Sequence, residues 1–172
     1  MEEQLEITVG HQLRKKNMKL VISESCTGGL IGHRITNIPG SSDYYLGSIT
    51  AYAYEAKEKL LGVKHETLMK YGAVSRQTVI EMAHGARLAL AGAFPLNHLV
   101  GISVSGIAGP GGATPDKPVG TVWIGMSTPK KDYAWKYNWN SDRIGNKELT
   151  AQQALLLLMQ FLERKLPIES RE

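Results

Sequence analysis

The sequence lacks most of the features that mark disulfide-rich, metal-binding or membrane proteins. One cysteine among 172 residues excludes an intramolecular disulfide framework, and no Cys/His cluster has the spacing of a structural zinc site. No apolar run approaches the roughly 20 residues that cross a bilayer. Glu2 and Glu3 stand where a secretory signal peptide would be basic. We therefore expect a cytoplasmic protein with no metal and no membrane partner.

A strong excess of one charge is also missing. The chain has 20 Lys+Arg against 16 Asp+Glu, which gives a formal net charge of +4. The one dense basic cluster, residues 14–19, falls where the first predicted helix ends, and a helix dipole favours cations there. We interpret this cluster as a helix terminus and expect no nucleic-acid partner.

Glycine, in contrast, is in surplus. The chain has 18 glycines, where an average composition would hold about 12. Seven of them fall in two short stretches, residues 28–32 and 106–112. Each stretch follows an apolar run, and turns after strands at the carboxyl edge of an α/β sheet bind ligands. Glycine there lets backbone N–H groups approach an anion.

Periodicity, caps and turn residues divide the chain into alternating helices and strands. Helices are predicted over 3–17, 30–36, 55–61 and 66–71, between Ser75 and Gly92, and after Ser141 or Asp142. Strands are predicted over 19–23, 44–52, 99–104, 119–127 and 133–139. This order predicts a three-layer α/β/α sandwich with a mixed β-sheet, and the length predicts a single domain over 1–172.

The last predicted strand has one aromatic face, because aromatic residues occupy every second position over 133–139. We interpret that face as the packing surface of an edge strand and not as a subunit interface.

Neither glycine stretch matches a nucleotide-binding fingerprint. A Walker A loop that starts at Gly106 requires lysine where Gly112 stands, and a Rossmann pattern from Gly109 requires glycine where Thr114 stands. No ATP, NAD or other cofactor is therefore indicated. By spacing alone, the second stretch is equally a phosphate-binding loop or a structural turn.

The first glycine turn places two nucleophiles side by side, Ser25 and Cys26. A serine needs a base, and none of the five histidines lies in a glycine turn. A lysine can serve if burial lowers its pKa. Lys57 is a candidate, although the residues alone favour a solvated helix lysine.

Six short segments, taken together, resemble one known family. They are residues 24–29, 39–42, Tyr52 with 55–57, 72–75, 105–112 and 117–122. In this order and spacing they are similar to the CinA C-terminal domain family. Family members that consist of this domain alone look like nicotinamide-nucleotide amidohydrolases. The resemblance also implies that this chain forms a homodimer or larger homo-oligomer.

The resemblance implies a reaction and a set of site residues. The reaction is hydrolysis of the carboxamide of nicotinamide mononucleotide, a pyridine mononucleotide, to nicotinate mononucleotide and ammonia. Ser25 would be the nucleophile, Lys57 its general base and Tyr52 an assisting tyrosine, with Cys26 a small buried residue. The expected substrate-binding residues are Thr27, Gly28, Gly29, Ser105, Gly106, Gly109, Gly111, Gly112 and Arg143. Among these, amides near Thr27 and Gly28 would hold the oxyanion, and Arg143 would bind an anion.

This sequence departs from the family pattern at two places. Ala53 and Tyr54 replace Ser-Asn, and Ser141 replaces glycine before Asp142. Loss of the asparagine amide is expected to affect rate or substrate preference.

The alternative function is a non-catalytic nucleotide-binding or protein-interaction module related to competence and DNA damage. We expect a self-sufficient enzyme, because the second, N-terminal domain of many relatives is not part of this sequence.

Overall fold

One mixed sheet forms the centre of the chain in a computed structural model, which describes residues 4–171. Its strands are β1 (Lys19–Glu24), β2 (Tyr45–Thr50), β3 (Leu99–Gly106), β4 (Thr121–Ser127) and β5 (Asp132–Asn138). They lie in the order β2-β1-β3-β4-β5. The first three are parallel, whereas β4 is antiparallel to β3 and to β5.

Helices cover both faces of this sheet. They are α1 (Leu5–Lys15), α2 (Leu30–Thr36), α3 (Tyr54–Leu61), α4 (His65–Tyr71), α5 (Arg76–Leu88) and α6 (Arg143–Leu162). One face packs against α1, α2 and α6, and the other packs against α5, with α3 and α4 beside it. The predicted three-layer α/β/α sandwich with a mixed sheet is confirmed. None of the described helices is both long and apolar enough to cross a membrane.

Strand β1 shows why the sheet needs two helical layers. Leu20 and Ile22 pack in the core shared with α1 and α6, while Val21 between them packs with Met82 and Ala86 of α5. A strand buried on both faces must alternate between two cores, and this explains its continuous apolar sequence.

Most element boundaries agree with the local sequence signals. Helix α2 matches its prediction, and the Ser75 hydroxyl accepts from the Thr78 amide at the start of α5. At α6 the carboxylate of Asp142 is the cap, accepting from the amide of Gly145 at 2.7 Å. Strand β2 ends at Thr50 and α5 at Leu88, both earlier than predicted. The predicted helix start at residue 3 and the acidic residues 2–3 lie outside the described residues.

Strand β5 is an edge strand, as its position in the sheet shows. Trp135 is buried, and Tyr133, Tyr137 and Trp139 pack against the same core as α6. The aromatic face is therefore a packing surface, and the core packing predicted from its alternation is confirmed.

Candidate active site

The carboxyl ends of three parallel strands meet at one edge of the sheet. Glu24 at the end of β1 lies opposite Thr50 of β2 and Val104 of β3. The segments that follow these strands, residues 25–29, 51–53 and 106–112, therefore share this edge. Such an edge is where open α/β sheets bind their ligands.

Lys57 reaches Ser25 at this edge. Its Nζ atom lies 2.9 Å from Oγ of Ser25 and donates to the carbonyl oxygens of Ala51 and Tyr52 at 2.8 and 3.0 Å. Lys57 is only 1% exposed and Ser25 only 8%. The residue-level interpretation of Lys57 as a solvated lysine is therefore wrong, because the turn between β2 and α3 directs its side chain inward.

Burial changes the acid–base behaviour of Lys57. It lowers the pKa of the Lys57 ammonium from 10.5 to about 8. Among the described residues, no carboxylate lies within ion-pair distance of Lys57. A neutral amine has two N–H groups, which the two carbonyls can accept, and one lone pair. That lone pair then faces the Ser25 hydroxyl, so Lys57 can act as a general base towards Ser25.

Cys26 differs from its neighbour. Burial raises the pKa of the Cys26 thiol to about 12, so the sulfur stays protonated at neutral pH. Cys26 is 6% exposed and packs in the hydrophobic core. The prediction of a small buried residue is confirmed.

The carboxylate of Glu24 organises the turn that carries Ser25. It is fully buried and accepts four hydrogen bonds. Oε2 accepts from Thr27 Oγ1 and the amides of Gly29 and Ile31, and Oε1 from the amide of Gly32. Sequence reasoning missed this role, although an acidic residue just before a glycine-rich helix start was a usable signal.

The amides of the glycine pair are engaged within the turn. Gly28 donates to the carbonyl of Ser25 at 3.1 Å, and Gly29 donates to Glu24 at 3.0 Å. Both glycines have positive φ, +63° and +101°. Because L side chains rarely adopt these values, glycine is required here for the backbone path.

Arg143 connects three parts of the site. Its Nη2 donates to Oη of Tyr52 at 3.1 Å, and its Nη1 donates to the carbonyl of Gly109 at 2.6 Å. Tyr52 is 61% exposed, so its ring stands at the solvent side of this edge. The first turn of α6, the second glycine loop and the segment after β2 are thereby held together.

The second glycine loop contains residues with different environments. Gly111 and Gly112 are exposed at the rim, whereas Ser105 is 1% exposed within β3. Gly109 has φ +93°, and a methyl group there would lie 2.6 Å from Cγ1 of Val119. Gly106 is half-buried and follows directly on Ser105. The loop therefore brings mainly backbone to the site edge.

Asn146 anchors this loop and was missed by sequence reasoning. Its Nδ2 donates to the carbonyl of Ala108 at 3.0 Å, and its Oδ1 accepts from the amide of Ser141. The side chain is 1% exposed, so the amide links two backbone segments inside the protein.

One cavity lies far from Ser25 and does not include the predicted site residues. An open cavity of about 1030 Å³ lies at the opposite edge of the sheet, near His98, Lys130 and Phe161. None of the predicted site residues lines it. Within residues 4–171, no group of three or more His, Cys, Asp or Glu side chains is placed to hold a metal ion.

Two relatives found by sequence are both CinA-like proteins. A CinA-like protein of Salinibacter ruber is 48% identical over 151 residues, which is 88% of this chain and 35% of that protein. A CinA-like protein of Amoebophilus asiaticus is 43% identical over 161 residues, 94% of this chain and 37% of that protein. The chain thus spans little more than a third of the length of these curated relatives.

Solved structures share the fold. The competence damage-inducible protein A of Klebsiella pneumoniae superposes with a TM-score of 0.86 at 31% identity, covering 93% of this chain and 96% of that one. The competence/damage inducible protein CihA of Agrobacterium tumefaciens gives a TM-score of 0.82 at 33% identity, covering 95% and 98%.

The family model of the CinA C-terminal domain matches residues 2–162, which include every element of the sheet and the whole edge around Ser25. The chain belongs to the CinA C-terminal domain family.

Proposed function

We propose that this chain is an amidohydrolase that converts nicotinamide mononucleotide and water into nicotinate mononucleotide and ammonia. The observation that carries the proposal is the buried contact of 2.9 Å between Lys57 Nζ and Ser25 Oγ. A lysine with a lowered pKa beside a serine hydroxyl is a base and nucleophile pair for acyl transfer. The choice of a pyridine mononucleotide rests on the family resemblance.

The reaction proceeds through an acyl-enzyme. Neutral Lys57 accepts the hydroxyl proton of Ser25 while Oγ bonds to the carboxamide carbon, whose oxygen takes the negative charge. The C–N bond then breaks as its nitrogen receives a proton, and ammonia leaves an ester on Ser25. Water then attacks this ester and gives a proton to Lys57. Lys57 returns that proton to Oγ of Ser25 as the acyl bond breaks, which releases the carboxylic acid and restores the serine hydroxyl.

Tyr52 assists the departure of ammonia in this proposal. Arg143 donates to Oη of Tyr52, which leaves the phenolic proton of Tyr52 available for another acceptor. Tyr52 passes that proton to the leaving nitrogen and regains one from Lys57. The carbonyl of Tyr52 already accepts from Lys57 at 3.0 Å, so both residues belong to one local structure.

Ser25 is proposed as the nucleophile in preference to Cys26. The raised pKa of Cys26, about 12, keeps its sulfur in the less reactive thiol form. Among the described residues, the contacts of Lys57 Nζ are with Ser25 and two carbonyls. These facts support the serine.

The test is ammonia release from nicotinamide mononucleotide by the wild type, Ser25→Ala and Lys57→Met. We expect kcat to fall at least about a thousandfold in both variants, because the nucleophile or its base is lost. Lys59→Met is the matched control, since Lys59 is exposed on the same helix. Circular dichroism establishes that each variant is folded.

Two outcomes would contradict the proposal. Activity that survives in Ser25→Ala would remove the serine mechanism and direct attention to Cys26. An inactive wild type that still binds the mononucleotide would favour a non-catalytic nucleotide-binding module.

A further inference from the structure

Two polar side chains flank the glycine pair that follows Ser25. A methyl group at Gly28 would lie 4.0 Å from Nζ of Lys147, and one at Gly29 would lie 3.8 Å from Oγ1 of Thr50. Thr50 ends β2 and Lys147 lies in α6, so the two side chains come from distant parts of the chain. An ammonium and a hydroxyl therefore stand over one short piece of side-chain-free backbone.

Neither of these groups has a partner within residues 4–171. No hydrogen bond or ion pair joins Lys147 or Thr50 to another described side chain. Lys147 is half-buried and Thr50 is exposed, so both polar groups can be reached by a ligand at this edge of the sheet. The nearby carboxylate of Glu24 already accepts four hydrogen bonds from its own turn.

Lys147 contrasts with Arg143, which lies one helical turn earlier on the same face of α6. Both terminal nitrogens of Arg143 donate to protein atoms, the hydroxyl of Tyr52 and the carbonyl of Gly109. Arg143 thus acts on the position of Tyr52 and the loop, whereas the Lys147 ammonium is left for a ligand. The amides of Gly28 and Gly29 are likewise engaged inside the turn.

We propose that Lys147 and Thr50 form the subsite for the phosphate monoester of the substrate, beside Ser25. The ammonium supplies a point charge, the hydroxyl supplies a second donor, and the glycine pair supplies room because it has no Cβ atoms. Phosphate binding is thereby assigned to side chains and not to the glycine amides. This proposal rests on the proposed function, since the mononucleotide is the ligand.

The test compares the mononucleotide with its riboside, which has the same carboxamide and no phosphate. We expect Lys147→Met to raise KM for the mononucleotide at least about tenfold, with a smaller change in kcat. The ratio of kcat/KM for the mononucleotide to kcat/KM for the riboside should therefore fall by a similar factor. Thr50→Val acts in the same direction with a smaller effect, and Lys147→Arg restores most of the preference. Lys136→Met, on the exposed side of β5, is the control.

A change in KM that is equal for mononucleotide and riboside would overturn the phosphate subsite, because the lost interaction would then not involve the phosphate. A fall confined to kcat would also overturn the phosphate subsite, because the Lys147 ammonium would then act on the reacting carbon and not on the phosphate.

A binding measurement separates this inference from the reaction itself. Calorimetry with Ser25→Ala measures the affinity for nicotinate mononucleotide, for the riboside acid and for inorganic phosphate, with and without Lys147→Met. Weaker mononucleotide binding in Lys147→Met supports the subsite even if the wild type hydrolyses no amide. Lys147-dependent binding of inorganic phosphate alone assigns the site to free phosphate and overturns the mononucleotide role. Absence of any Lys147-dependent binding overturns the subsite itself.

Discussion

At the scale of single residues, the proposed chemistry depends on one lysine side chain. Lys57 is buried against the carbonyls of Ala51 and Tyr52, and it faces the hydroxyl of Ser25. An exposed lysine would be protonated at neutral pH and could not accept a proton. With its pKa lowered to about 8, a useful fraction of Lys57 is neutral near physiological pH.

The lowered pKa of Lys57 predicts how the proposed reaction depends on pH. Because only neutral Lys57 can accept the serine proton, kcat/KM for amide hydrolysis should rise about tenfold per pH unit below the pKa of about 8 and level off above it. Initial rates of ammonia release between pH 6 and 10 measure the profile. A rate that is flat across this range, or that falls as pH rises through 8, would show that Lys57 is not the base.

At the scale of structural elements, the start of α2 depends on Glu24. One carboxylate satisfies the hydroxyl of Thr27 and three amides at the beginning of that helix. Helix starts leave their first amides without partners, and a negative charge there is favoured by the helix dipole. Glu24 therefore holds the turn after β1 in the shape that presents Ser25 to Lys57.

Glu24→Gln tests this role. The amide group would keep one acceptor oxygen and set N–H donors against backbone N–H donors, so we expect the free energy of unfolding to fall by about 2–4 kcal/mol. Urea denaturation measures the loss, and Glu55→Gln, an exposed change in α3, is the control. If Glu24→Gln were as stable as Glu55→Gln, the four hydrogen bonds would not be organising the turn.

Some glycines away from the site allow a helix to pack closely on the sheet. A methyl group at Gly125 of β4 would lie 2.5 Å from the carbonyl oxygen of Val79 in α5. The same helix lies close over Gly101 of β3. Part of the glycine surplus therefore serves the close packing of α5 on the sheet, and not only the two turns at the site edge.

At the scale of the whole molecule, the segment after α6 lies along part of β5, the strand at one side of the sheet. Ser170 donates its amide to the carbonyl of Ala134 in β5, and Glu169 accepts from the amide of Ala134. Glu169 also pairs with Arg76 of α5 at 3.0 Å and with Lys131 at 2.8 Å. An exposed edge strand is a template for association with other chains, and this segment occupies part of it.

Glu169→Gln should weaken this cover without reaching the site. We expect the free energy of unfolding to fall by about 1–2 kcal/mol in low salt and by less in high salt, because two ion pairs are lost. Thermal unfolding at two ionic strengths measures this, and Glu163→Gln, which removes the exposed pair with Lys165, is the comparison. A loss of kcat with unchanged stability would show that the segment acts on the site and not on the edge.

The local parts of the fold were predictable, and the contacts between distant segments were not. The cap at Asp142 and the bounds of α2 follow from short-range signals, and the structure agrees with them. The burial of Lys57 was not visible, because a helix lysine after a strand has the same local sequence whether it faces water or protein. The role of Glu24 was missed because its four donors become visible only when the turn is folded.

By itself, the sequence determined the order and type of the elements, the mixed three-layer architecture and the side-by-side placement of Ser25 and Cys26. These depend on periodicity and turn residues within a few positions of each other. Only the tertiary structure decided that Lys57 is buried against Ser25, and that Lys147 and Thr50 lie near Gly28 and Gly29 respectively. Burial and long-range proximity arise from the packing of segments that are far apart in the chain, and no local pattern encodes them.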